Sequence, residues 1–90
     1  SMFGTVPAYG FFIRHVNGIE RNNVEVGYAK EDLRPAFVLN DVKGADFQHL
    51  KAQRAADAPT FMLKNVEDFS VQRSKGVPDI RLERVSEKKL

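Results

Sequence analysis

Apolar residues recur along this chain in one frame, Pro-x-Φ-x-Φ-x-x-Val, where Φ is a large apolar residue. The frame reads Pro35-Ala36-Phe37-Val38-Leu39-Asn40-Asp41-Val42, then Pro59-Thr60-Phe61-Met62-Leu63-Lys64-Asn65-Val66, then Pro78-Asp79-Ile80-Arg81-Leu82-Glu83-Arg84-Val85. An earlier copy, Phe11-Phe12-Ile13-Arg14-His15-Val16, keeps everything except the proline, which lies upstream as Pro7. From Phe11 to Phe37, Phe61 and Ile80 the steps are 26, 24 and 19 residues. Repeats of that length mark stacked supersecondary units. Proline brings no N–H to a ladder and suits a strand entry, and the alternation after it has period two, so each copy predicts a short strand.

The columns define where the strand bends. Phe11/Phe37/Phe61/Ile80 and Ile13/Leu39/Leu63/Leu82 are two residues apart, but Val16/Val42/Val66/Val85 follows after three. The pair before each valine is polar (Arg14-His15, Asn40-Asp41, Lys64-Asn65, Glu83-Arg84), as an outward-facing corner requires. Two residues past the valine, Gly18, Gly44 and Asp68 share a slot, which predicts a positive φ and a second bend. Asn22-Asn23-Val24-Glu25-Val26 and Gln48-His49-Leu50-Lys51-Ala52 then read as a further strand in each unit. Strand, corner, strand, corner, strand is one coil of a parallel β-helix. The predicted fold is therefore all-β, a right-handed parallel β-helix (solenoid) of about three to four coils over residues 3–85. An alternative reading makes Asp46 to Asp57 an amphipathic helix capped by Asp46, giving an α+β domain.

Composition narrows the picture only slightly. Fourteen Lys and Arg against 12 Asp and Glu give a net charge of +2, far from that of a dedicated nucleic-acid binder. With no cysteine there is no disulfide or thiolate chemistry, and no apolar run approaches the roughly 20 residues of a membrane span. Ser1-Met2 reads as a cloning remnant, and Ser86-Glu87-Lys88-Lys89-Leu90 as a charged flexible tail.

The stretch from Gly10 to Val26, with Leu33-Arg34-Pro35-Ala36-Phe37 and Asn40-Asp41-Val42-Lys43-Gly44, resembles the β-helical coils of pectin-degrading glycoside hydrolases of the polygalacturonase-like family 28. The likeness runs from about Gly4 to Val85, and residues 33–37 with 40–44 are similar to the last coils of bacterial members. It implies a secreted or periplasmic parent that cuts galacturonans with clustered aspartates. The motifs carrying that chemistry, of the types Asn-Thr-Asp, Asp-Asp, Gly-His-Gly and Arg-Ile-Lys, do not occur here. The resemblance therefore implies the C-terminal scaffold of such an enzyme without its active centre, and no catalytic residue carries over.

Few residues invite a chemical reading. His15 and Asp41 share a corner column, and rungs of a sheet lie about 4.8 Å apart, so the two are placed to meet as a base and its orienter; the competing reading is a surface polar ladder. Glu20, Asp46 and Ser70 share another column, with the carboxylate pair that glycoside hydrolysis needs, although acidic neighbours occur on any solvated face. His49 lies near Asp46 with no second histidine at metal-ligand spacing, and nothing calls for a metal or another cofactor. Asn22-Asn23 reads as part of an asparagine ladder. Tyr9 and Tyr28 are candidate sugar-stacking rings. The basic residues Arg54, Arg73, Lys75, Arg81, Arg84, Lys88 and Lys89 would attract a polyanion such as pectate, but acids are interleaved with them. By parity Phe12, Val38 and Met62 fall on the outer face of the first strand, a candidate interface ended by Arg81.

Three functions follow from these residues. The first is a structural, self-associating scaffold without an active centre, hence not an enzyme, forming a homo-oligomer through its coil ends or the outer stripe. The second is a module that binds acidic polysaccharide. The third is a hydrolase using a surface His/Asp/Ser grouping. Nucleic-acid and membrane partners are not expected.

Overall fold

A computed structural model describes residues 10–27, 34–52 and 58–90. The described chain is built from strands: β1 (Phe11–Asn22), β2 (Glu25–Val26), β3 (Phe37–Gln48), β4 (Lys51–Ala52), β5 (Phe61–Gln72) and β6 (Ile80–Lys89). The main sheet has the order β1-β3-β5-β6, and β2 and β4 form a second, smaller one. β1, β3 and β5 are parallel, with Phe11, Phe37 and Phe61 in one rung position, Ile13, Leu39 and Leu63 in another, and Val16, Val42 and Val66 in a third. The repeat frame is therefore a structural register. Among the described residues the two sheets do not join into closed coils.

Long strands follow from local backbone geometry. Three columns take a positive φ: His15, Asp41 and Asn65 (56°, 58° and 51°), Gly18, Gly44 and Asp68 (85°, 78° and 53°), and Asn23, His49 and Arg73 (58°, 54° and 54°). One left-handed residue turns an extended chain without ending it, and Gly, Asn, Asp and His tolerate that conformation best. Each strand thus bends at the same rungs as its neighbour. Pairing continues for 12 residues through both inner bends because every bend lies over another.

The fourth copy of the frame does not continue the stack. β6 runs antiparallel to β5, pairing Val85 with Val66, Leu82 with Phe69 and Ile80 with Val71. The reason is length: the 19-residue step to Ile80 is shorter than the 26 and 24 of the other two, too short for the same circuit. The chain instead reverses through the antiparallel bridge Ser74–Val77, with Gly76 at φ 83°. An Asp79 Oδ1 accepts from the Arg73 N–H at 2.9 Å and fastens this turn. Only the valine column survives across β6, since Leu63 faces Lys88 rather than Leu82.

Two further expectations need correction. Ser86 to Leu90 is not a flexible tail: Ser86 to Lys89 complete β6, and Leu90 N–H donates to the Phe61 carbonyl at 2.9 Å. The competing helix does not form across Asp46–Ala52, where Asp46, Phe47 and Gln48 finish β3 and Lys51–Ala52 form β4; the remainder of that segment, 53–57, lies outside the described residues, as do Ser1-Met2, Tyr9, Tyr28 and Arg54.

The core lies on the inner faces of β3 and β5. Phe37, Phe47, Phe61 and Phe69 are fully buried, with Leu39, Leu63, Val42, Val66 and Val71. The rings of Phe11, Phe37 and Phe61 stack at centroid spacings of 5.5 and 5.0 Å. Phe47 and Phe69 meet Phe61 edge-on at 5.3 Å each, the offset geometry that aromatic quadrupoles favour. Two inward columns therefore join the three read from the repeat: Ile19/Ala45/Phe69 and, on β3 and β5 only, Phe47/Val71, whose β1 counterpart Arg21 is exposed.

Candidate functional site

The second bend creates a concavity. Gly18 and Gly44 leave a floor of bare backbone, and the chain beyond them rises as Glu20, Asp46 and Ser70 on consecutive rungs. Asp68 and Arg81 close one end of this groove, whose volume is about 640 Å³. Ser70 Oγ donates to Asp46 Oδ1 at 2.9 Å, and Gln48 Nε2 donates to Asp46 Oδ2 at 3.4 Å. Both oxygens of Asp46 are thus engaged by donors, so its carboxylate is held as an oriented acceptor. Arg81 Nη2 lies 3.8 Å from Asp68 Oδ1. Arg81 reaches the groove because β6 is antiparallel, which sets it opposite Ser70.

The groove carries three carboxylates, from Glu20, Asp46 and Asp68, against one guanidinium. A polyanion meets net repulsion there. Neutral or amino-bearing groups that donate hydrogen bonds suit the wall better, because ionised carboxylates only accept. Arg81, Asp68 and Gln48 were not grouped with Glu20, Asp46 and Ser70 from sequence. The positive-φ slot that Asp68 shares with Gly18 and Gly44 was a usable signal for its position; nothing local announced Arg81.

At the first bend the structure brings His15 and Asp41 together. His15 Nδ1 lies 2.6 Å from Asp41 Oδ2 on an outward corner, with the side chains 61% and 53% exposed. Two shallow hollows flank Asp41. One includes His15 and Lys43, the other Asn65, Glu67, Arg84 and Ser86. The chemical order along this face is His, Asp, then Ser, with the carboxylate in the middle. Nucleophile activation requires the base next to the hydroxyl, with the acid behind it. His49 does not join Asp46: it occupies the third bend, where its N–H donates to the Gln72 carbonyl at 3.1 Å. Among the described residues no group of three or more His, Asp or Glu is arranged to hold a metal ion.

The remaining candidates separate. Phe12, Val38 and Met62 align as expected, but they do not make an open stripe: Phe12 is 44% exposed, Val38 only 8% and Met62 half-buried. Lys89 rather than Arg81 lies opposite Met62, again because β6 is reversed. Of the basic residues, Arg84 meets Glu67 at 3.1 Å, which also approaches Lys43 at 3.8 Å, so part of the positive charge is locally matched. No helix among the described residues is long and apolar enough to cross a membrane. Comparison with protein-family models, with curated proteins and with solved structures finds no match.

Proposed function

We propose that this chain is a scaffold module: coils of a right-handed parallel β-helix, related to the C-terminal part of a pectin-degrading glycoside hydrolase and lacking that enzyme's active centre. The observation that carries the reading is the threefold repetition of bends. Nine residues in three aligned columns take the same left-handed conformation, the economy of a stack whose units bury their faces on each other. Polar side chains at and just beyond the bends bind across rungs, His15 to Asp41 at the first bend and Ser70 to Asp46 beyond the second. In this reading they tie coil to coil. The module self-associates as an isolated chain, side to side through the exposed Phe12 rather than by strand pairing at the β1 edge.

Polygalacturonate tests the reading in both respects. The scaffold module releases no reducing ends from it and passes unretarded through a polygalacturonate affinity gel. Release abolished by Asp46→Asn or Asp41→Asn establishes a hydrolase instead. Retention lost with Lys88→Glu and Lys89→Glu establishes an acidic-polysaccharide binder.

A further inference from the structure

Among the described residues the two ends of the sheet are unlike. At one end β6 presents Arg81, Glu83, Arg84, Glu87, Lys88 and Lys89, all exposed; a charged edge of this kind resists further pairing. At the other end β1 keeps the ordinary repeat sequence. Phe11 is 37% exposed, and Ile13, Val16 and Ile19 are half-buried, where their β3 counterparts Phe37, Leu39, Val42 and Ala45 are buried. Repeat stacks need atypical polar units at their ends. Both end strands keep half-buried apolar residues and carry exposed charges, Arg14, Glu20 and Arg21 on β1; β6 differs in its denser charge and reversed direction, which break the repeat that β1 continues.

We propose that the edge formed by β1 and β2 is a docking site for one further coil of this same repeat, entering parallel and in register. The inference rests on the β-helix reading above and adds an occupant to it. Existing interfaces set the contacts. Phe11 N–H donates to the Ala36 carbonyl and Phe37 N–H to the Thr60 carbonyl, both at 2.9 Å. The Gly10 carbonyl holds the same position for an incoming strand. At the third bend Asn23 N–H donates to Gln48 and His49 N–H to Gln72, both at 3.1 Å, which gives the Asn22 carbonyl the same task. In the small sheet the polarity reverses: Lys51 N–H donates to Val24 at 2.9 Å and Lys75 N–H to Leu50 at 3.1 Å. Glu25 N–H is then the donor that meets the incoming coil. A large apolar side chain in the Phe11 column extends the ring stack already formed by Phe11, Phe37 and Phe61.

A second copy fits this edge less well. Its β6 is charged, and two β1 strands related by a twofold axis run antiparallel. The bends at His15, Gly18 and Asn23 are spaced by three and then five residues. That spacing is not symmetric, so reversal cannot superpose all three, whereas parallel addition keeps every bend over its equivalent.

In-frame duplication of residues 37–60 between Gly10 and Phe11 supplies such a coil and reproduces the Thr60–Phe61 junction at Thr60–Phe11. Amide exchange at Glu25 is expected to slow by about tenfold or more, and the urea midpoint to rise. A folded duplicate with Glu25 exchange unchanged overturns the proposal. If the duplicate does not fold, a peptide of residues 35–52 added to the full chain gives the second measurement. It should protect Glu25, while the same peptide carrying Leu39→Asp and Val42→Asp should not; absence of protection overturns the proposal as well. Glu25 protection in the unaltered chain that falls on dilution assigns the edge to a second copy, and also overturns it. Failure of the underlying reading is distinguishable, because the Lys51 and Lys75 amides, which are paired only through the second face of stacked coils, would then exchange freely before any coil is added.

Discussion

Single residues in this protein act mainly through the backbone conformations they permit. Arg73 is the least suited of the nine bend residues to a left-handed φ, which it takes at 54°, since long side chains lack the local hydrogen bonds that make Asn and Asp tolerable there. Arg73→Asn is therefore expected to raise stability by several tenths of a kcal/mol to about 1 kcal/mol, read from the urea midpoint. Gly44→Ala should have the opposite sign. An added Cβ meets the Gly18 backbone only at 3.6 Å, an ordinary contact, so the cost comes from φ 78° and amounts to about 1–2 kcal/mol. His15→Ala tests a different effect. The pair with Asp41 is short at 2.6 Å but more than half exposed, and exposed polar pairs of this kind contribute at most about 1 kcal/mol, so the midpoint should hardly move. A large loss would mean that the corner ladder carries more of the stack than its exposure implies.

The strands are stabilised by the columns they share. Phe61 is the hub of the aromatic core, stacked on Phe37 and met edge-on by Phe47 and Phe69. Truncation there removes packing from three columns at once. Phe61→Ala should cost about 3–5 kcal/mol, comparable to a small domain's whole stability, and a circular-dichroism melt should show no cooperative transition. Phe11→Ala should be far milder. Phe11 belongs to the same ring stack but is 37% exposed at the edge strand, so little of its burial is lost.

At the scale of the whole molecule, β6 decides which sheet edge is closed. It covers β5 along its length, and Leu90 ties to both Thr60 and Phe61 through the backbone. Deleting residues 78–90 uncovers Val66, Phe69 and Val71 along a long β edge, a template for intermolecular pairing. The shortened chain is expected to sediment as large, concentration-dependent aggregates. A dispersed monomer with unchanged β content would show that β6 is dispensable as an end-cover.

The repeat frame alone determined the strand character of the chain, the register of β1, β3 and β5, and two of its bends. These are properties of local sequence: alternation has period two, and glycine or polar residues at one fixed offset signal a turn wherever the frame recurs. The meeting of His15 with Asp41 was legible for the same reason, because equivalent positions in parallel units are neighbours. The direction of β6 was decided by tertiary structure. Its residues obey the frame, yet the shorter step leaves no chain for a circuit, so pairing with β5 had to come from the opposite direction. That reversal moved Arg81 from the supposed outer stripe to the groove beside Asp68, and set Lys89 beside Met62. Likewise Val38 and Met62 were placed by parity on an outer face, but parity fixes only the side of a strand. Whether that side meets solvent depends on what packs against it, and Val38 is buried.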